Sequence, residues 1–187
     1  MTLLNLTGQT GIAGLCLAVS RRVSDERGEF ARLFDADLLA PVHAARPIVQ
    51  VNRSVTRQPG SVRGLHFQRA PALEAKWVRC LRGRVFDVIV DLRAGSPTFA
   101  RWHAVELSDQ NQRQVLIPPG CAHGFQTRAD HCELLYQHSA AYAPQCEDGV
   151  RHDDPRLAIV WPEPVTEQSP RDRGFALLSA DFKGVRI

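Results

Sequence analysis

Lysine is nearly absent from this sequence, and the charge pattern shows no site for a polyanionic partner. Of its 23 basic residues only Lys76 and Lys183 are lysines, and the arginines are scattered rather than grouped. The formal net charge is +3, which is small for a protein that binds a phosphate backbone. We therefore expect no nucleic-acid partner, and the lysine retained at position 76 becomes informative.

Paired cysteine motifs are also missing. The five cysteines, Cys16, Cys80, Cys121, Cys132 and Cys146, are odd in number and include no CxxC pair. This pattern argues against a disulfide framework and against a structural zinc site. It fits a reducing compartment, so we expect a cytoplasmic protein.

Long apolar runs are absent as well. The run GIAGLCLAV, residues 11–19, is too short to span a bilayer, and no positive charge precedes it. We interpret it as a turn and a strand rather than a signal peptide or an anchor, and expect no membrane association. Hydrophobic residues make up 44% and charged residues 23% of the chain, as in soluble globular proteins. The length fits a single domain over residues 1–187.

What remains is a succession of short strand-like segments. Val-, Ile- and Phe-rich runs of about five to eight residues alternate with turn residues: PIVQVNRSV, KWVRCLRG, RVFDVIVDLR, WHAVELS and RQVLIPPG. The turn at Arg82 and Gly83 predicts a hairpin. A helix is expected over residues 31–41, ended by Pro41, and a second short one in the C-terminal tail. The pattern predicts an all-β sandwich or barrel, of which the jelly roll is one form.

Two histidines lie in motif-like surroundings. His66 stands in SVRGLHFQ, and alone it would suit a buried core histidine. His123 stands in IPPGCAHGF, which resembles the second half-motif of the cupin superfamily, small jelly-roll barrels with a site in the barrel mouth. Metal-binding cupins have His-x-His and a Glu in the first half-motif, where this sequence reads His66-Phe67-Gln68. Because metal sites normally have three or more protein ligands, we expect no metal and interpret both histidines as acid–base or polarising groups.

The two tyrosines of the chain, Tyr136 and Tyr142, lie six residues apart in ELLYQHSAAYAP. On one strand they would share a face, because side chains alternate with period two. Aromatic packing explains a single tyrosine well enough. The restriction of both to this segment favours a functional surface.

Carboxylates precede a proline in DDPRLAIVWP, where Asp153 and Asp154 are typical of a turn or helix cap. A carboxylate can also fix the tautomer of an imidazole and make its other nitrogen a better base. A His with a pKa of about 6.5, a Tyr of about 10 and cations such as Lys76 and Arg63 are what proton abstraction beside a carbonyl requires. Such chemistry needs no redox cofactor.

Seven segments, in order along nearly the whole chain, resemble the dTDP-4-dehydrorhamnose 3,5-epimerase family of nucleotide-sugar biosynthesis. They are DERGEF, VQVNRS, VRGLHFQ, KWVRCLRGRVFDVIVDLRAGSPTF, LIPPGCAHGF, LLYQHSAAYAP and DDPRLAIVWP. The resemblance implies an all-β, cupin-type jelly roll with a few short peripheral helices, forming a homodimer without metal or cofactor. It implies epimerisation at carbon 3, carbon 5 or both of a nucleotide-linked 4-keto-6-deoxyhexose.

The resemblance also implies roles for individual residues. His66 resembles the base, Asp154 its partner and Tyr136 the general acid. The residues that would hold the substrate are Gln50, Asn52, Arg63, Lys76, His123 and Tyr142. An N-terminal arm of about residues 1–45 would carry Arg27 and Phe30 to the nucleotide base in the partner subunit.

Several positions depart from the family pattern. Arg32 stands where a Glu that contacts thymine is common, which leaves the nucleotide open. Val51 replaces a common Asp, and His152 replaces a Trp before the aspartates. His138 adds an imidazole near the predicted acid.

Three other functions remain open besides a metal-dependent cupin oxygenase, which the missing metal ligands argue against. Some relatives invert one carbon, so a mono-epimerase acting on another nucleotide-linked 4-keto sugar is an alternative. A ketoisomerase of similar fold would move the carbonyl instead, and a catalytically silent cupin would only bind a sugar nucleotide. The retained set of His66, Asp154 and Tyr136 favours the epimerase over the last two.

Overall fold

The computed structural model of the chain describes residues 3–37 and 46–187. Within these ranges nearly all the regular structure is β-strand. The strands are β1 (Leu4–Gln9), β2 (Cys16–Ser20), β3 (Arg22–Asp25), β4 (Gly28–Ala31), β5 (Gln50–Thr56), β6 (Val62–Gln68), β7 (Lys76–Arg82), β8 (Arg84–Asp91), β9 (Trp102–Ser108), β10 (Arg113–Ile117), β11 (Cys121–Thr127), β12 (Cys132–His138) and β13 (Glu147–Gly149). The five apolar runs and the strand of GIAGLCLAV are confirmed. A 3₁₀ turn (Pro144–Cys146) and a C-terminal α-helix (Pro170–Arg173) accompany them.

The strands form two antiparallel sheets that pack as a jelly-roll sandwich. The first sheet has the order β1-β2-β10-β7-β12-β5, and the second has the order β13-β6-β11-β8-β9. Strands β3 and β4 form a separate two-stranded sheet, called here the N-terminal hairpin. The all-β, jelly-roll prediction is confirmed.

The second sheet is covered on both faces. Its inner face packs against the first sheet, where Val78 and Leu134 meet Ile89 and Phe125 in one core. Its outer face packs against residues 150–187, called here the C-terminal tail, in a second core that includes Val88 of β8. A strand buried on both faces is apolar almost continuously rather than alternately, which explains the run VFDVIVD.

Two expectations about connections and helices need correction. The hairpin at Gly83 is wrong, because β7 pairs with β10 and β12 whereas β8 pairs with β9 and β11. The turn carries the chain from one sheet to the other. In the expected helix over residues 31–41, Ala31 ends β4 and residues 36–37 are helical. Residues 38–41 lie outside the described residues. The short C-terminal helix is confirmed, and no helix in the described ranges is long and apolar enough to cross a membrane.

A bulge in β6 sets the direction of two cavity side chains. His123 of β11 stands opposite His66, whereas Phe125 stands opposite Arg63. Two residues of β6 therefore face a single residue of β11, and this extra residue reverses the usual alternation. As a result Arg63 and His66, three positions apart, point to the same side as His123.

Gly64 allows this bulge to lie close to β11, and its replacement has a testable cost. Its φ is 123°, and a Cβ there would lie 2.6 Å from the Gly124 Cα and 2.7 Å from the His123 backbone oxygen. We expect Gly64→Ala to lower the free energy of unfolding by about 2–4 kcal/mol, measured by urea denaturation. Gly95 is the matched control, because its φ of 75° is also positive but a Cβ added there would have no atom within 4 Å. Gly95→Ala should cost about 1 kcal/mol, and equal losses would contradict the prediction.

Candidate active site

A cavity of about 560 Å³ opens between the two sheets at one end of the sandwich. Strands β5, β7 and β12 form one wall, and β6 and β11 form the other. Eight of the predicted site residues line it: Gln50, Asn52, Arg63, His66, Lys76, His123, Tyr136 and Tyr142. The cavity thus collects side chains from distant parts of the sequence. Arg27, Phe30 and Asp154 lie elsewhere.

His66 is held by the C-terminal tail. Its Nε2 lies 2.8 Å from Oδ1 of Asp172, and the other carboxylate oxygen accepts a hydrogen bond from the Gly64 backbone N–H at 3.0 Å. Burial alone would raise the pKa of Asp172, but these two hydrogen bonds outweigh it and hold that pKa below its usual value. The ring of Phe175 packs edge-on against His66, with 5.9 Å between ring centroids. An ionised carboxylate that takes the hydrogen of Nε2 leaves Nδ1 as the basic nitrogen.

The predicted pairing of His66 with Asp154 is wrong. Both carboxylate oxygens of Asp154 accept backbone hydrogen bonds, from Arg156 at 2.9 Å and from Leu178 at 2.6 Å. The residue is 1% exposed, and its carboxylate links the backbone of Arg156 to that of Leu178 in the C-terminal tail. Sequence reasoning missed Asp172. Its one signal was the pattern Ser169-Pro-x-Asp, which marks a helix N-terminus but does not reveal what the carboxylate contacts.

A second carboxylate–imidazole pair lies deeper in the cavity. His123 Nε2 is 2.8 Å from Oδ2 of Asp87, and both side chains are almost completely buried. The His123 ring also meets the ring of Tyr136 edge-on, with 6.1 Å between centroids. Asp87 was missed from the sequence. An acidic residue within the apolar run VFDVIVD was the available signal, because a buried carboxylate needs a partner.

Tyr136 is set up to keep its proton. Its hydroxyl lies 3.3 Å from Oγ of Ser54 on β5. Burial raises the pKa of Tyr136 above its ordinary value, and the Ser54 hydrogen bond offsets only part of this. The phenol therefore stays protonated at neutral pH, as a proton donor requires.

Tyr142 reaches the cavity from a loop rather than from a strand. β12 ends at His138, so the expectation that both tyrosines share one strand face is wrong. The Tyr142 hydroxyl donates a hydrogen bond to Oε2 of Glu147 at 2.5 Å. Glu147 also pairs with Arg171 of the C-terminal helix, which ties this side of the cavity to the segment that carries Asp172.

Cationic side chains line the cavity, together with the carboxylates of Glu74 and Glu147. Lys76 is 8% exposed; its Nζ donates to the His66 carbonyl oxygen at 3.2 Å and lies 3.1 Å from Oε1 of Glu74. Arg53 and Arg63 also line the cavity. Three cations on the walls suit a ligand that carries a diphosphate.

The N-terminal hairpin does not line the cavity of its own chain. Arg27 pairs with Asp25 at 2.5 Å, and Phe30 is 62% exposed at the surface. Arg32 pairs with Asp35 at 2.8 Å. The hairpin therefore presents an aromatic ring and a guanidinium group outward.

His152, which departs from the family pattern, and the five cysteines do not line the cavity. His152 Nδ1 is 2.9 Å from the Gln168 amide nitrogen, in the C-terminal segment. The five cysteines are free. Among residues 3–37 and 46–187, no three His, Cys, Asp or Glu side chains form a group that would hold a metal ion.

The comparisons with known proteins point to one family. The family model described as dTDP-4-dehydrorhamnose 3,5-epimerase matches residues 9–180. The dTDP-4-dehydrorhamnose 3,5-epimerase of Sinorhizobium fredii is 41% identical over 94% of this chain and 92% of its own length. The dTDP-4-dehydrorhamnose 3-epimerase of Streptomyces niveus is 42% identical over 90% of this chain and 82% of its own length.

A solved structure shares the fold almost throughout. The crystal structure of the dTDP-6-deoxy-D-glucose-3,5-epimerase from Legionella pneumophila, in complex with dTDP-4-keto-L-rhamnose, superposes with a TM-score of 0.88 at 37% identity. The alignment covers 97% of this chain and 98% of that chain. With the family model matched over most of its length and these relatives at about 40% identity, the chain belongs to the dTDP-4-dehydrorhamnose 3,5-epimerase family.

Proposed function

We propose that the protein epimerises carbon 3, carbon 5 or both of a nucleotide-linked 4-keto-6-deoxyhexose, of the type dTDP-4-dehydro-6-deoxyglucose to dTDP-4-dehydrorhamnose. One observation carries the proposal: an imidazole with an ionised carboxylate partner, His66 with Asp172, lines the same cavity as the protonated phenol of Tyr136. The two side chains come from different sheets. A base and an acid on opposite walls are what inversion of a carbon centre requires.

The proposed mechanism moves one proton in and one proton out. His66, oriented by Asp172, removes the proton from the carbon beside the 4-keto group, and the bonding electrons pass to the keto oxygen as an enolate. Lys76, whose ammonium group lines the same cavity, stabilises that oxygen. Tyr136 then delivers a proton to the opposite face of the carbon, and both groups are reset by exchange with water. Atoms and charge balance without a redox cofactor or a metal.

The names of the relatives leave the number of inverted carbons open. The Streptomyces niveus protein is a 3-epimerase and the Sinorhizobium fredii protein a 3,5-epimerase, at nearly equal identity to this chain. The proposal therefore covers one or two inverted carbons. dTDP is the nucleotide to test first, although Arg32 makes other bases worth testing.

We also propose a homodimer in a reducing, cytoplasmic setting. The N-terminal hairpin exposes Val23 and Phe30, 48% and 62% respectively, and exposed apolar groups of this kind favour burial against a partner. In the dimer, Arg27 and Phe30 would reach the nucleotide base in the partner's cavity. The free cysteines fit the compartment.

Proton NMR in deuterium oxide tests the activity directly. The purified protein is mixed with dTDP-4-keto-6-deoxyglucose, and loss of the signals at sugar carbons 3 and 5 is followed. Exchange at both carbons would establish a 3,5-epimerase, and exchange at one would establish a mono-epimerase. A folded protein that exchanges the proton at neither carbon, whether the sugar carries dTDP or another nucleotide, would contradict the proposal. It would favour a catalytically silent cupin that only binds a sugar nucleotide.

Removing the phenol hydroxyl should separate exchange from inversion. We expect Tyr136→Phe to slow inversion by about 10²-fold or more, because the phenol is the group assigned to deliver the proton to that face. Exchange should persist, because His66 can return a deuteron to the face from which it took the proton. The NMR assay measures both rates in one sample. Normal inversion by this variant would remove Tyr136 from its assigned role.

A further inference from the structure

A third carboxylate–imidazole pair lines the cavity, beside the predicted acid. His138 Nδ1 lies 2.7 Å from Oε2 of Glu74. Both side chains are largely buried, with 12% and 7% exposed respectively. The other oxygen of Glu74 lies 3.1 Å from Nζ of Lys76. A histidine anchored in this way has a fixed position and a fixed orientation.

His138 contacts two of the residues that face the proposed substrate. Its Nε2 lies 3.3 Å from the amide nitrogen of Asn52. Its ring stacks on the ring of Tyr136, with 6.1 Å between centroids and 20° between planes. Asn52 and Tyr136 are also direct partners in the pairing of β5 with β12. The imidazole therefore supports both members of a pair on the acid side of the cavity.

These contacts suit the neutral form of His138. An amide nitrogen only donates hydrogen bonds, so in this form Nε2 accepts from Asn52 and Nδ1 carries the hydrogen given to Glu74. The imidazole is then neutral. A second proton, on Nε2, would place two donors face to face, break the contact with Asn52 and add a positive charge beside the Tyr136 ring.

We propose that His138, held by Glu74, is a positioning residue that keeps Asn52 and Tyr136 in the arrangement needed for proton return, and that it acts in its neutral form. The inference rests on the proposed function, because proton return to the sugar is the step that it affects. In this proposal His138 affects the return of a proton by Tyr136, whereas His66 removes the proton from the sugar. Protonation of His138 should therefore reduce inversion more than exchange.

Other groups near His138 do not reproduce this effect. The titratable and charged groups around it are Glu74 before β7, Lys76 on β7, Tyr136 on β12, Tyr142 after β12 and Arg53 on β5, with Arg63, His66, His123 and Glu147 on strands of the second sheet. Burial would raise the pKa of Glu74, but the His138 hydrogen bond and the charge of Lys76 outweigh it, so that pKa lies below its usual value. The raised pKa of Tyr136 keeps the phenol protonated throughout. Protonation of His66 slows exchange and inversion together, so it cancels in their ratio.

The test is the ratio of inversion to exchange, followed by NMR in deuterium oxide from about pH 5 to pH 8, where histidines titrate. In the unmodified protein the ratio should fall as the pH falls. His138→Asn keeps a donor for Glu74 but cannot titrate. Its ratio should be about tenfold lower at neutral pH and independent of pH. His103→Asn is the matched control, because His103 lies on β9 and does not line the cavity; its profile should equal that of the unmodified protein.

A second variant keeps the test decisive if His138→Asn fails to fold, which circular dichroism would show. Glu74→Gln removes the negative partner, which disfavours the imidazolium, so the fall of the ratio should move to lower pH. A ratio independent of pH in the unmodified protein would overturn the inference alone. An unshifted fall in Glu74→Gln would do the same. Absence of any exchange in the unmodified protein would overturn the proposed function and this inference with it.

Discussion

Replacing His66 with Gln is expected to slow deuterium exchange into the 4-keto sugar by about 10²- to 10⁴-fold, the usual contribution of a general base. The Gln amide can still donate to Asp172, so the contact that anchors this side chain to the C-terminal tail is preserved. It has no nitrogen that accepts a proton near neutral pH. The loss should therefore appear as a lower rate at saturating substrate, with little change in the concentration needed for half-saturation.

The control for His66→Gln is the same change at His103, a half-buried histidine on β9 outside the cavity. It should leave exchange unchanged. Thermal denaturation of both variants checks that the fold is retained. If His66→Gln exchanged protons at the unmodified rate, His66 would not be the base, and the pair formed by His123 and Asp87 would be the next candidate on geometry.

The resemblance to the epimerase family predicted eight of the residues that line the cavity, whereas strand periodicity predicted strands. The alternation within β5 and β12 places Asn52 and Tyr136 on one face, and they are direct partners across the two strands. The apolar runs marked their strands because side chains that pack into a core must be apolar at a fixed period. The order of the strands in each sheet was not predictable, because periodicity shows that a segment is a strand but not which strand it pairs with. The turn at Gly83, which joins two sheets rather than two paired strands, is an example.

The part of the site that was not predicted depends on contacts between distant segments. His66 and Asp172 are 106 positions apart. From the sequence alone, the carboxylate of Asp154 was an equally suitable partner for the imidazole. The folded contacts decide between them: the oxygens of Asp154 accept from the Arg156 and Leu178 backbone N–H groups, whereas Oδ1 of Asp172 contacts the imidazole. The bulge in β6 that turns Arg63 and His66 to the same side is likewise a property of the pairing with β11.

Asp172→Asn is expected to reduce exchange by about 10²- to 10⁴-fold through a change of tautomer. The Gly64 N–H donates to one oxygen of Asp172, and in the variant the amide oxygen must take that place. The NH₂ group then faces His66 Nε2, which can no longer carry the hydrogen. The proton moves to Nδ1, and the nitrogen that should accept a proton from the sugar is already occupied.

Asp154→Asn is the matched comparison, because it makes the same change at the carboxylate first expected to pair with His66. One of its two backbone donors, Arg156 or Leu178, would lose its acceptor, which should lower the free energy of unfolding by about 1–3 kcal/mol. Its exchange rate per folded molecule should match that of the unmodified protein, since this carboxylate does not touch the imidazole. Exchange rates divided by the folded fraction from urea denaturation distinguish the two variants. A normalised rate that is lost in Asp154→Asn and kept in Asp172→Asn would return the partner role to Asp154, because only the true partner sets the tautomer of the base.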